Sequence, residues 1–69
     1  MPLTMSKEGE TISIRRVGGK DEVRRHLETM GFVPGTDITV ISMNGGNVIV
    51  SVKETRVAIS REMANKIMV

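Results

Sequence analysis

Cysteine, tryptophan and tyrosine are absent from this 69-residue sequence, and Phe32 is its only aromatic side chain. Without cysteine there is no disulfide framework and no thiolate metal site, a composition that suits a reducing compartment. With a single aromatic, the chain has no platform for stacking bases and no aromatic-lined peptide groove. Long apolar runs are missing as well: none approaches the ~20 residues that span a bilayer. The N-terminus carries no basic-then-apolar signal pattern, so a cytoplasmic protein is expected. Excess charge is also scarce, since ten Lys and Arg against eight Asp and Glu leave only +2, well short of a nucleic-acid footprint. The length allows one domain, residues 1–69, whose small core makes each apolar side chain count.

Catalytic groupings are equally thin. His26 is the only histidine and no cysteine is available. The scattered serines therefore have no oriented base beside them, and no enzyme is expected. Gly18-Gly19-Lys20 and Asn44-Gly45-Gly46-Asn47 lack the spacing of a phosphate-binding loop and read as turns. Glu22 and His26 stand four apart on a predicted helix and could share a face, but two ligands do not complete a metal site. No cofactor is expected, and at most weak Fe²⁺ or Zn²⁺ binding. Met30, Met43, Met63 and Met68 have no compact spacing and suit flexible core filling. Arg15-Arg16 and Arg24-Arg25 are sequence neighbours, which strands and helices splay apart, so no basic stripe forms. An RNA-binding barrel stays an alternative with little behind it.

What the sequence does contain is a series of short β-branched runs around one helix. Residues 1–6 read as a frayed lead-in with Leu3 and Met5 as candidate core contacts. Residues 10–17 alternate at Ile12 and Ile14 and predict one first strand. Val23, Leu27 and Met30 make a helical stripe, bounded by Asp21 and Glu22 at the start and Gly31 at the end, so a helix is predicted over 21–30. Gly31 falls where a left-handed backbone ends a helix, and Phe32 falls where a hydrophobic side chain folds back onto Leu27. Val33-Pro34-Gly35 then reverses the chain.

A second strand is predicted over 36–43 and a third over 47–52, joined through Asn44-Gly45, the strongest short-range hairpin signal. After a reversal at 53–56, residues 57–59 form a fourth strand, Ser60 caps one helical turn over 61–64, and 67–69 form a fifth. About five short antiparallel strands, with one α-helix between the first and second, predict a mainly β chain closed into a small SH3-like barrel, which removes exposed edges.

The run Leu27-x-x-Met30-Gly31-Phe32-Val33-Pro34-Gly35-Thr36 resembles the signature of the FeoA family, small ferrous iron transport accessory proteins. Gly9-Glu10 with Ile12-x-Ile14, then Val57-Ala58-Ile59, then Ala64-x-x-Ile67-x-Val69, are similar to that family's opening strand, fourth strand and ending. Three positions depart from the pattern. His26 and Ser60 stand where a basic residue is usual, and Met30 replaces leucine. The resemblance implies an SH3-like barrel and a cytoplasmic accessory protein acting on FeoB, a membrane ferrous iron transporter with a G domain, so that the membrane is reached only through the partner. Related domains end iron-dependent repressors, which gives a transition-metal-binding domain as the alternative. No helix-turn-helix segment precedes the barrel here, so a repressor is not expected. The partner surface is expected at the last helical turn and the corner after it: Arg25, His26, Leu27, Met30 and Phe32.

Overall fold

A computed structural model describes residues 1–69. Six strands appear in chain order: β1 (Thr11–Ser13), β2 (Arg16–Val17), β3 (Asp37–Asn44), β4 (Asn47–Val52), β5 (Thr55–Ser60) and β6 (Ile67–Met68). Helix α1 (Asp21–Thr29) lies between β2 and β3, and the single turn α2 (Arg61–Ala64) lies between β5 and β6. All pairings are antiparallel, in a four-stranded sheet ordered β1-β3-β4-β5 and a two-stranded β2-β6 ribbon. Contrary to expectation, closure does not remove every edge: β5 pairs on one side only, because the last strand joins β2 rather than β5. Both enclose one cluster of thirteen buried apolar residues, with Phe32, Leu27 and Leu3 fully buried within it. The fold is an SH3-like barrel.

The expected first strand over 10–17 is two strands in two sheets. Ile12 and Ile14 share one parity, whereas Val17 has the other, so a single straight strand would turn one of these side chains to solvent. The chain bends between them. Ile14 donates its N–H to the Thr36 carbonyl and accepts from Gly35, while the next amide, Arg15, bonds instead to Met68. One segment thereby passes from the large sheet to the ribbon. The same change of parity, from Ile38 and Val40 to Met43, accompanies a register shift in β3 between Val40 and Ser42, where the strand bends around the core.

The lead-in does not fray. Residues 3–5 form a turn of 3-10 helix, Leu3 is fully buried, and Pro2 bridges to Met68. Met5, expected in the core, is instead 69% exposed. Alternation cannot locate such residues, because a single helical turn has neither strand nor helix periodicity over so short a span.

Helix α1 ends as the sequence predicts. Phe32 N–H bonds the Leu27 carbonyl and Gly31 N–H bonds the Glu28 carbonyl, both at 3.0 Å, with Gly31 at φ +98°. These are the two bonds of a Schellman cap. A type II turn follows, with Pro34 and Gly35 at its centre and the Thr36 amide bonded to the Val33 carbonyl. The helix begins less well, since its N-cap Lys20 makes no side-chain capping bond. Lys20→Asp is expected to raise the unfolding free energy by about 1 kcal/mol through a new bond to an orphan amide, measured by urea titration. The second helix has its cap: Ser60 Oγ accepts from the Met63 amide at 3.2 Å.

Candidate functional site

The Schellman cap fixes the direction in which α1 runs into the barrel, and with it the surface formed by the last helical turn. Thr29 closes that turn from inside the helix by donating its hydroxyl to the carbonyls of Arg25 at 2.9 Å and His26 at 2.7 Å. Arg25 and His26 point to solvent. Leu27 and Phe32 do not: both are 0% exposed and belong to the core, so they support the corner from beneath and offer no atoms to a partner. Met30 is intermediate, packed against the core on one side and open on the other. Of the five residues expected to form the surface, Arg25, His26 and Met30 are therefore the accessible ones.

Met30 opens onto a cleft of about 670 Å³ between the end of α1 and the β4–β5 hairpin. One wall carries Glu28, Thr29, Met30 and Gly31, and the other carries Val52, Lys53 and residues 55–58. The walls approach at Gly31, where an added Cβ would lie 3.4 Å from Val52 Cγ2 and 3.7 Å from Lys53 Cδ. The hairpin tip is itself strained. Lys53 and Glu54, neither of them glycine, sit at φ +50° and +65° as the central pair of a two-residue turn. Side chains at such angles cost about 1–2 kcal/mol each, and such strain gathers where a surface has work to do.

Charge around the cleft is largely unpaired. The only salt bridge in the chain joins Arg24 to Asp21 at 2.7 Å, on an exposed helical face where it adds little stability. Arg25, Lys53, Arg56 and Glu28 have no ionic partner. Glu22 and His26 are both exposed on α1, and nowhere do three His, Cys, Asp or Glu side chains come together as a metal-holding group. No helix is long and apolar enough to cross a membrane.

The family model described as the FeoA domain matches residues 1–69. The chain belongs to the FeoA domain family. A Methanocaldococcus jannaschii protein, provisionally named Fe(2+) transport protein A, is 37% identical over 68 residues, covering 99% of this chain and 83% of that one. The crystal structure of an iron uptake regulatory protein, FeoA, superposes with a TM-score of 0.91 at 29% identity, over 99% of this chain and 92% of the other. FeoA from Stenotrophomonas maltophilia, solved with zinc and described as a prokaryotic SH3 domain protein, gives 0.86 at 23% identity, over 99% and 87% of the two chains. That last likeness speaks for the fold alone.

In this FeoA domain the signature around Gly31 builds the corner, and the corner forms half of the cleft. Sequence reasoning missed the other half. The hairpin residues Val52, Lys53, Arg56 and Val57 had no signal linking them to residue 30, because their proximity arises from barrel closure rather than from any local pattern.

Proposed function

We propose that this FeoA domain is a non-enzymatic, cytoplasmic accessory module of ferrous iron uptake that docks on a FeoB-type membrane transporter carrying a G domain. Membership of the FeoA family along the whole described chain, with a relative named for Fe(2+) transport, carries the reading. Iron is then the transporter's cargo, and the module acts by binding protein. Arg25, His26 and Met30 are the contact residues: a thioether that is half-buried at a rigid corner supplies adaptable apolar contact, and the flanking side chains supply orientation.

The test is direct binding to the purified cognate transporter. Met30→Asp should weaken association by about tenfold or more, while circular dichroism and thermal melting show the barrel intact. Arg25→Glu, at an exposed position, should weaken it without touching the core. Undiminished association of both folded variants removes this surface from the reading, and a wild-type chain that fails to bind the transporter removes the docking function itself.

A further inference from the structure

β5 lies at one margin of the four-stranded sheet, with β4 along one side and no strand along the other. The β4–β5 register fixes which of its backbone groups are free. In a two-residue hairpin the closing pair is hydrogen-bonded, and bonded pairs alternate from there. Val52↔Thr55 closes this hairpin, so Thr55, Val57 and Ile59 turn their backbone groups to β4. Arg56 and Ala58 turn theirs outward, and neither residue takes part in the chain's turn, loop or cap hydrogen bonds. α2 ends the strand by using Ser60 as its cap, which leaves residues 55–58 as the open edge.

That edge borders the cleft at the end of α1, which is lined along the strand by residues 55–58 and across from it by Glu28, Thr29 and Met30. Four residues of extended chain need about 13 Å of edge, which is what this stretch provides. Side chains on the two faces of β5 differ. Val57 and Ile59 turn toward the core, and Arg56 and Ala58 turn to solvent. Lys53 and Arg56 put two cations at the cleft against the one carboxylate of Glu28, and none of the three is ion-paired.

Resting on the transporter-docking reading, we propose that the occupant of this cleft is an extended segment of the transporter, alternating apolar and acidic residues, which adds to β5 as one more strand. Its backbone pairs with Arg56 and Ala58, its apolar side chains meet Met30 and Val57, and its carboxylates meet Arg56 and Lys53. A second copy of the chain is a poorer occupant, since it would bring another Arg56 and Lys53 to the same seam. A charged residue on an open edge discourages that kind of self-pairing.

Hydrogen exchange at residues 55–59, measured for the full chain alone and with the detergent-solubilised cognate transporter, tests the proposal. The Arg56 and Ala58 amides should exchange freely in the chain alone and slow by tenfold or more in the complex. Ala58→Pro removes an outward amide and no bond to β4, and it should weaken transporter binding at least tenfold with the free fold kept. Arg56→Glu should do the same through charge, and it decides the matter together with the amide protection if Ala58→Pro unfolds. Transporter binding that leaves both amides unprotected, or that Arg56→Glu leaves unchanged, overturns the added strand while docking stands. A transporter that does not bind the wild-type chain overturns both. Protection that grows with chain concentration in the absence of transporter assigns the edge to a second copy and overturns the proposal.

Discussion

Replacing Phe32 by alanine is expected to remove most of the stability of this domain. The side chain is the largest among those fully buried, and it lies directly beneath the cap of α1. Truncating a buried phenylalanine costs about 3–5 kcal/mol, the lost transfer energy plus the cavity left behind. A core of this size supplies only about 3–5 kcal/mol in total, so the loss is comparable with everything the fold has. Equilibrium urea unfolding should show Phe32→Ala largely unfolded without denaturant at 25 °C, and Phe32→Leu, which leaves less empty space, still folded with a lowered midpoint. A cooperative transition at an unchanged midpoint in the alanine variant would mean that Phe32 does not fill the barrel.

Gly31→Ala is the second large effect, and it arises from the backbone rather than from burial. At φ +98° an L side chain pays about 1–2 kcal/mol in conformational strain. The new Cβ also arrives 3.4 Å from Val52 Cγ2, at the edge of ordinary contact, where the α1 corner meets the hairpin. Gly35 gives the control, because it has a similar φ of +90° with nothing within 4 Å of an added Cβ. Gly31→Ala and Gly35→Ala should therefore share the strain, and any excess loss at Gly31 reports contact with Val52. Gly31→Val, whose branched side chain adds bulk on the same side, should cost more than either. Thermal or urea unfolding of the three variants checks this order, and an unchanged stability of Gly31→Ala would contradict the left-handed helix end.

The helix end shows why part of the fold was legible beforehand. Leu27, Gly31 and Phe32 are within five residues of one another, and the physics that joins them is local: a left-handed residue, two terminal carbonyls and one side chain folding back. The same holds for the cap that Ser60 gives α2 and for the existence of the β3–β4 hairpin, although its turn is shifted by one residue. Asn44 pairs with Asn47 as the closing pair, so Gly45 and Gly46 rather than Asn44 and Gly45 are central, and of these Gly45 alone has positive φ. The helix-end pattern placed Phe32 against Leu27, while the same two residues were also expected on the partner surface. The local pattern could not mark Leu27 and Phe32 as inaccessible to a partner, because a hydrophobic signature looks alike whether it faces a core or a docking partner.

The division of residues 10–17 is an intermediate case. The parity change from Ile14 to Val17 was written in the sequence, but β-branched residues on both sides of it masked the bend. Only the pairing of Arg16 and Val17 with the distant Met68 and Ile67 makes two strands of one segment. The hairpin at Lys53 and Glu54 is the opposite surprise. A turn was expected across 53–56, yet neither central residue is of the type that favours positive φ, so cross-strand pairing from Val52↔Thr55 onward must hold them there.

Sequence alone determined a single small mainly β domain, one helix with a defined stop and the order of its hairpins, since each depends on steric preferences and periodicities acting over a few residues. Its place in the FeoA family was carried instead by the resemblance of the run from Leu27 to Thr36 to that family's signature. Tertiary structure alone decided that Leu27 and Phe32 are sealed inside while Met30 faces a cleft, and that an open edge of β5 runs beside it. Those outcomes depend on which distant segments meet when the barrel closes, and closure is set by the packing of the whole core at once.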